Sequence, residues 1–145
     1  MSNPLATAEP WSLVAAGYKR TTQEYLEPYS LKAIEILAPK KTDRALDVAT
    51  GPGTLSLPLS RQVAEIDAID FSAEMIAEQA ASIAARSISN IRTHVMDGQA
   101  LTFLDNHFDL AFSMFGLMFF PDKLLGMKEI FRVLKPGKQV VISAW

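Results

Sequence analysis

Apolar residues occur along this chain in two alternating patterns, short segments of buried-strand character and longer segments with helical spacing. The short runs have the length of buried strands, and they lie at residues 45–49, 65–70, 91–96, 108–114 and 139–145. Helical spacing recurs at residues 11–25, 31–38, 72–87 and 121–134. Strands that alternate with helices predict a parallel sheet with helices on both faces, which is a doubly wound α/β fold.

The helix predicted at residues 72–87 carries the fullest set of helix signals. Ser72 is a good N-cap, and Glu74 lies in the first turn, where the helix dipole favours a negative charge. Its apolar face is formed by Met75, Ile76, Ala80, Ile83 and Ala84. The last helix has one apolar stripe, made of Leu124, Met127, Phe131 and Leu134. Near the N-terminus, Pro28 is compatible only with a first helical turn and Pro39 with a helix end, so a break between two helices is predicted.

Composition and charge narrow the classes of function. The 145 residues fit one domain, and the absence of Cys excludes a disulfide scaffold and a Cys-based zinc module. The two His are too far apart in sequence for a metal site, so no metal is expected. A net charge of -2 lacks the basic footprint of a nucleic-acid-binding protein. No apolar run reaches the ~20 residues of a transmembrane helix, and no secretion signal is evident, so we expect a cytoplasmic protein.

A glycine turn and three acidic residues mark a candidate ligand site. The turn holds Gly51 and Gly53 between the first strand and the next helix, where backbone N–H groups are free to meet a ligand. Ser56 stands where the nicotinamide-binding pattern G-x-G-x-x-G has its third glycine. Acidic residues follow or end three successive strands, and these are Asp47, Asp70 and Asp97. In a parallel sheet all three lie at the carboxyl edge, where ligands of open α/β sheets bind.

Five segments in this order resemble the class I S-adenosylmethionine-dependent methyltransferases, in particular those that methylate quinone precursors. The segments are ALDVATGPGT, IDAIDFSAEMI, VMDGQALTF, NHFDLAFSMFGLMFFPD and EIFRVLKPGKQVVISAW. The resemblance implies a Rossmann-like sheet with parallel strands in the order 3-2-1-4-5. The family's full order is 3-2-1-4-5-7-6, so the final two strands are expected to be absent from these residues. We expect a single domain, with an N-terminal helical cap at residues 1–40 and a Rossmann-like core at residues 41–145.

The resemblance implies S-adenosylmethionine as the cofactor and S-adenosylhomocysteine as its product, with acidic residues as the main contacts. Asp70 is expected at the ribose hydroxyls, although it can also be a strand-end acid that helps the helix N-cap. Asp97 and the Gly98 backbone are expected at the adenine edge, although an Asx turn at Asp97 is the structural alternative. Asp47 is expected to stabilise the glycine turn and to approach the methionyl amine, or to act in structure alone.

The other expected cofactor contacts come from small, apolar and hydroxyl side chains, each with an ordinary packing alternative. They are Tyr18, Ala49, Thr50, Gly51, Gly53, Phe71, Met75 and Ser113. Ala49 replaces a glycine that is usual in the family, and it should alter contact geometry without abolishing binding if its φ is negative. Tyr18, together with Trp11, resembles the family's N-terminal aromatic lid. Met75 can equally be a core residue, and Ser113 a strand-end hydroxyl.

The resemblance predicts an enzyme that transfers a methyl group to a small acceptor. The loop at residues 115–120 is rich in Phe, Leu and Met, which favours an apolar or aromatic acceptor. No catalytic base is assigned, because a sulfonium already activates the methyl group and the step needs little beyond alignment. A nicotinamide-dependent oxidoreductase and a cofactor-binding fragment without turnover are the alternatives. The last strand, at residues 139–145, is predicted to be an open edge that pairs with a second copy or a partner.

Overall fold

The computed structural model describes residues 3–145, and it contains five strands and five α-helices in the predicted alternation. The strands are β1 (Arg44–Val48), β2 (Glu65–Asp70), β3 (Ile91–Val95), β4 (Phe108–Met114) and β5 (Leu134–Ser143). The helices are α1 (Ala8–Thr21), α2 (Gln23–Leu37), α3 (Ser56–Leu59), α4 (Ala73–Ala85) and α5 (Lys123–Val133). None of the helices within residues 3–145 is long and apolar enough to cross a membrane.

All the strand pairs are parallel, and the strand order is β3-β2-β1-β4-β5. The register places Asp47 of β1 beside Phe112 of β4 and Asp70 of β2 beside Val95 of β3. The carboxyl ends of the inner strands therefore finish at one edge of the sheet. The predicted α/β class and strand order are confirmed.

The two faces of the sheet each carry an apolar layer. One layer packs Ala45, Ile66 and Phe112 against α2, and the other packs Leu46, Ile69 and Ala111 against α5. Neighbouring residues of one strand point to opposite faces, so a strand buried on both faces has no polar alternation. This explains why β1 and β4 lack regular polar alternation, and β2 buries Asp67 as well as its apolar residues.

The N-terminal helices break at a different residue from the one predicted. The break falls at Thr22, and Pro28 lies inside α2, beyond its first turn. A proline in a helix interior removes one hydrogen bond and costs about 3 kcal/mol. The buried face of α2, which includes Leu26, Ile34 and Leu37, offsets this cost through contact with the sheet.

Helix α5 buries a different stripe from the one its sequence suggests. Gly126, Ile130 and Val133 are the buried residues, whereas Phe131 is 82% exposed. Leu124 and Met127 of the predicted stripe are also exposed. The exposed residues of α5 lie beside the outer side of β5, where Val140 and Ile142 continue the apolar surface. Of the predicted stripe, Leu134 is therefore buried at the start of β5, Met127 and Phe131 line an open groove, and Leu124 is exposed.

Candidate functional site

The carboxyl edge of the sheet opens into a cleft of about 170 Å³. Three parts of the chain meet there: the glycine turn after β1, the end of β2, and the segment after β3 that contains Asp97. Helix α1 and the loop after β4 complete the walls. The cleft lies where the order of the strands reverses around β1, which is the place where open α/β sheets bind ligands.

The glycine turn after β1 has a compact backbone that includes three residues with positive φ. Gly51 and Gly53 have φ of 56° and 90°, and Ala49 has φ of 57°. The condition of negative φ at Ala49 is therefore not met, and its methyl group carries a left-handed strain of about 1–2 kcal/mol. The methyl group faces Gly116, where an added Cβ would lie 2.3 Å from the Ala49 Cβ. Glycine at 116 is thus what accommodates alanine at 49.

Asp70 ties the end of β2 to both neighbouring turns. Its Oδ2 accepts a hydrogen bond from the Gly51 N–H at 2.9 Å, and its Oδ1 accepts one from the Ser72 N–H at 3.0 Å. Burial raises the pKa of Asp70, and hydrogen bonds from the Ser72, Gly51 and Phe71 backbone oppose that rise. The carboxylate serves the N-cap and also lines the cleft, so the structural and ligand-binding interpretations hold together.

Asp47 is buried behind the glycine turn. Its Oδ2 accepts hydrogen bonds from the Thr50 hydroxyl at 2.7 Å and from the Ser56 hydroxyl at 2.6 Å. Burial, and to a smaller extent the nearby charge of Asp70, raises the pKa of Asp47 to about 6 against the lowering effect of those two hydroxyls. Asp47 and Thr50 line a second, smaller cavity of about 40 Å³. The two cavities share walls, Tyr18 and Gly51 among them.

Asp97 closes an Asx turn at the far wall of the cleft. Its Oδ1 accepts a hydrogen bond from the Gln99 N–H at 2.8 Å, while the side chain remains exposed. Gly98 is buried, and a Cβ there would lie 2.6 Å from Phe120. The Asx-turn alternative is confirmed, and the exposed carboxylate still lines the cleft.

Helix α1 closes the top of the cleft with aromatic side chains. Trp11 and Tyr18 both line the cleft and lie in edge-to-face contact, with ring centroids 6.3 Å apart. Burial raises the pKa of the Tyr18 hydroxyl, and the charge of Asp70 adds to this. The Ser12 hydroxyl bonds to Ser72 at 3.0 Å and to Glu74, both at the start of α4. The helix is therefore fastened beside the cleft by polar contacts.

The loop after β4 contributes the apolar wall. Met114, Phe115, Phe119 and Phe120 line the cleft, whereas Leu117 is buried in packing and Met118 does not line it. Phe115 has a φ of 56°, a left-handed conformation that directs the chain away from β4.

An aromatic cluster lies behind this wall. The Phe115 ring stacks on Trp145 with centroids 4.4 Å apart, and Tyr29 contacts both rings edge-on. The cluster joins the cleft wall to α2 and to the residues after β5.

The structure brings most of the predicted site residues together. Eight of them line the main cleft: Tyr18, Ala49, Gly51, Asp70, Phe71, Met75, Asp97 and Gly98. Asp47 and Thr50 line only the second cavity. Gly53 and Ser113 line neither; the Ser113 hydroxyl instead accepts a hydrogen bond from the Leu117 N–H at 3.3 Å.

The sequence prediction missed several residues at the cleft or at the glycine turn, Met96, Gln99 and Gln79 among them. Met96 and Gln99 flank Asp97 on the cleft wall, and their position beside the acid after β3 was the available signal. Gln79 lies fully buried at the glycine turn. Its position one helical turn after Met75 was the only signal for it, and the apolar face predicted for α4 omits it.

Three comparisons relate the chain to known proteins. It is 39% identical over 105 residues to a demethylmenaquinone methyltransferase of Staphylococcus aureus, which covers 70% of this chain and 43% of that protein. It is 31% identical over 131 residues to an uncharacterized protein of Mycobacterium tuberculosis, covering 83% of this chain and 47% of the other. The crystal structure of a SAM-dependent methyltransferase from Aquifex aeolicus superimposes with a TM-score of 0.74 at 25% identity, covering 80% of this chain and 63% of that one.

The chain spans less than half the length of these two curated relatives. The methyltransferase domain family itself matches residues 45–137, from the second residue of β1 to Gly137 within β5. That range holds the glycine turn, all three acidic residues and the loop after β4. By this match the chain belongs to the methyltransferase domain family, the class I S-adenosylmethionine-dependent methyltransferases.

Proposed function

We propose that this chain binds S-adenosylmethionine in the cleft and supplies the cofactor side of a methyl transfer to a small apolar or aromatic acceptor. One observation carries the proposal: the cleft joins two acidic residues and a glycine turn on one side to an aromatic wall on the other. An N-terminal cap at residues 1–40 over a core at residues 41–145 belongs to the same proposal, with Trp11 and Tyr18 as its contacts to the ligand.

The chemistry of the cleft suits the adenosine half of the cofactor. A carboxylate has about four acceptor positions, so Asp70 keeps capacity for ribose hydroxyls beyond its two backbone bonds. Asp97 is exposed at the cleft wall, where it can accept from an exocyclic amino group. Phe71 and Met75 provide aromatic and thioether surface for a purine.

The second cavity suits the charged end of the same ligand. Asp47 Oδ2 already accepts two hydroxyl hydrogen bonds, and the carboxylate borders this cavity. A buried carboxylate whose pKa is about 6 is stabilised by a nearby cation, because the opposite charge favours its ionised form. An ammonium group placed there has a ready counter-ion.

The apolar wall supports an apolar or aromatic acceptor. Met114 at the end of β4 and Phe115, Phe119 and Phe120 of the following loop line the cleft, and the Trp11 ring packs against Phe119 with centroids 5.0 Å apart. Within this wall a flat acceptor ring would gain aromatic contact, since such pairs add about 0.5–1.5 kcal/mol beyond buried area.

When bound, the cofactor supplies a methyl group already activated by positive charge. The chain's own residues then align the ligand, exclude water from the reacting centre and balance the ligand's positive charge. Asp70 and Asp47 orient the two ends of the ligand, and the Trp11 and Phe119 rings screen the reacting centre from water. No residue is assigned as a base, and the acceptor proton is left to the acceptor's own acidity or to solvent.

The outer side of β5 is the proposed partner surface, through residues 139–145. Within the described residues, β5 pairs on one side only, with β4. The groove beside it is apolar, lined by Met127, Phe131, Val140 and Ile142 among others. An unpaired edge with apolar neighbours favours strand pairing with a second copy of this chain.

Calorimetric titration with S-adenosylhomocysteine tests the proposed function. We expect the unmodified chain to bind it and the D70A variant to bind about tenfold to a hundredfold more weakly, the loss of about 1.5–3 kcal/mol for charged hydrogen bonds. The D105A variant is the matched control, because Asp105 is exposed and pairs with Arg132 away from the cleft. Binding of NAD without S-adenosylhomocysteine, or full-strength binding by D70A, would contradict the proposal.

A further inference from the structure

Gln79 has an unusual environment for an amide side chain. It is fully buried in α4, at 0% exposure. Neither its Oε1 nor its Nε2 has a hydrogen-bond partner among residues 3–145. Buried polar atoms without partners are rare in folded proteins, and each one carries an energetic cost that calls for a physical reason.

The amide of Gln79 lies against the glycine turn. A Cβ added at Gly53 would lie 2.9 Å from the Gln79 Cγ and 3.0 Å from its Nε2. Gly53 has a φ of 90°, so glycine is required there by both the backbone conformation and the space that Gln79 fills. On the same face of α4, one turn earlier, Met75 lines the cleft.

The glycine turn has backbone N–H and C=O groups that could pair with the Gln79 amide. The Gly53 N–H donates to the Thr50 carbonyl at 3.1 Å, and the Gly53 carbonyl accepts from the Leu57 N–H at 3.0 Å. A glutamine amide can both donate and accept. An unpaired amide therefore packs against a turn whose backbone carries both donors and acceptors.

We infer that Gln79 is a positioning residue for the glycine turn, which it hydrogen-bonds only when the cleft is occupied. The inference rests on the proposed function: Ala49 and Gly51 at the near end of the turn line the cleft, and Gln79 packs on Gly53 at the far end, so the turn connects a bound ligand to the amide. In the ligand-free conformation the unpaired amide lowers stability. In the ligand-bound conformation the new hydrogen bond adds to affinity.

The Q79M variant tests this, because methionine has a similar length and no strong hydrogen-bonding group. We expect its Tm without ligand to rise by about 3 °C and its affinity for S-adenosylhomocysteine to fall about tenfold, the ~1.4 kcal/mol of one hydrogen bond. The Q62M variant makes the same change at an exposed residue, and both quantities should stay unchanged. A structural glutamine would instead lower Tm and affinity together.

Each outcome decides the inference. If the unmodified chain and Q79M bind S-adenosylhomocysteine within twofold of each other, the inference fails while the proposed function stands. If the unmodified chain does not bind at all, both fail. A second measurement uses only the unmodified protein. In NMR spectra, the side-chain amide resonances of Gln79 should shift downfield when S-adenosylhomocysteine saturates the cleft. Unmoved resonances would overturn the inference.

Discussion

The buried carboxylate of Asp47 makes a direct prediction about stability and pH. Its pKa rises from an ordinary 3.8 to about 6 in the folded protein, chiefly through burial. A carboxyl whose folded pKa is raised binds its proton more tightly in the folded state than in the unfolded state. Its contribution to stability is therefore complete below pH ~4 and is lost as the pH rises through about 6.

The D47N variant removes this proton and keeps the local hydrogen bonds. An asparagine oxygen placed at Oδ2 still accepts from the Thr50 and Ser56 hydroxyls. A rise in pKa from 3.8 to about 6 corresponds to about 3 kcal/mol. We therefore expect D47N to exceed the unmodified chain in unfolding free energy by up to about 3 kcal/mol at pH 7.5, with the difference shrinking towards pH 4.5.

Urea unfolding at pH 4.5, 5.5, 6.5 and 7.5 measures this difference. At about 1–3 kcal/mol per molar urea, the midpoint of D47N should lie about 1–3 M higher at pH 7.5. The D109N variant is a control of opposite sign. Although burial acts against it, hydrogen bonds from Lys135 and the Arg44 backbone, with the Lys135 and Lys138 charges, lower the pKa of Asp109. The Asp109 carboxylate stabilises the protein at neutral pH and loses that effect as the pH falls. D109N should therefore have a lower unfolding free energy than the unmodified chain at pH 7.5. Parallel pH profiles for D47N and the unmodified chain would refute the reasoning.

Four further variants test the packing and the surfaces of the site. G116A should lower the unfolding free energy by about 1–3 kcal/mol, because its new Cβ would lie 2.3 Å from the Ala49 Cβ. Adding A49G should restore the lost stability. A double-mutant cycle in urea measures the coupling between the two positions. S72A removes the hydroxyl that accepts from the Met75 N–H and should cost about 1 kcal/mol in the same assay. F119S should weaken the binding of 1-naphthol to the cleft by about fivefold, as followed by fluorescence titration, because it removes one ring of the apolar wall. I142K places a charge on the edge strand and should lower the mass of the chain in light scattering towards that of a monomer.

Contrary results would be specific to each variant. Additive effects in the cycle would mean that contact with the Ala49 Cβ is not the cause of the G116A loss. Unchanged 1-naphthol binding in F119S would remove this side chain from the acceptor wall. A monodisperse monomer for the unmodified chain would remove the proposed pairing through β5.

Sequence patterns predicted the strands of the sheet well, because strands buried on both faces are recognisable as short segments rich in apolar residues. The apolar segments and the acids at or just after the ends of β1, β2 and β3 indicated which edge of a parallel sheet holds the cleft, whereas the strand order came from the family resemblance. Backbone conformation was harder to predict from the sequence. Ala49 has a positive φ that its identity argues against, and only the matching Gly116 shows why it is tolerated. A contact between residues 67 positions apart has no local sequence signal.

Helix faces were harder to assign than strands. The apolar stripe of α5 suggested burial, but the residues that pack on the sheet include Gly126 and Ile130, and Phe131 faces outward. In α4 the buried positions include Gln79 and Ser82, two polar residues that a hydrophobic pattern excludes. In both helices the buried face depends on which neighbour covers it, and that is a tertiary property.

The stacking of Trp145 on Phe115 gives the protein two separate optical reporters. The chain has two tryptophans, of which Trp11 lines the cleft directly. Trp145 lies outside the cleft but shares the Phe115 ring with its wall, at a centroid distance of 4.4 Å. With Trp11 replaced by phenylalanine, emission should report movement of the loop after β4 alone; with Trp145 replaced, it should report closure of α1. Ligand binding and loop movement can then be timed independently in the same molecule.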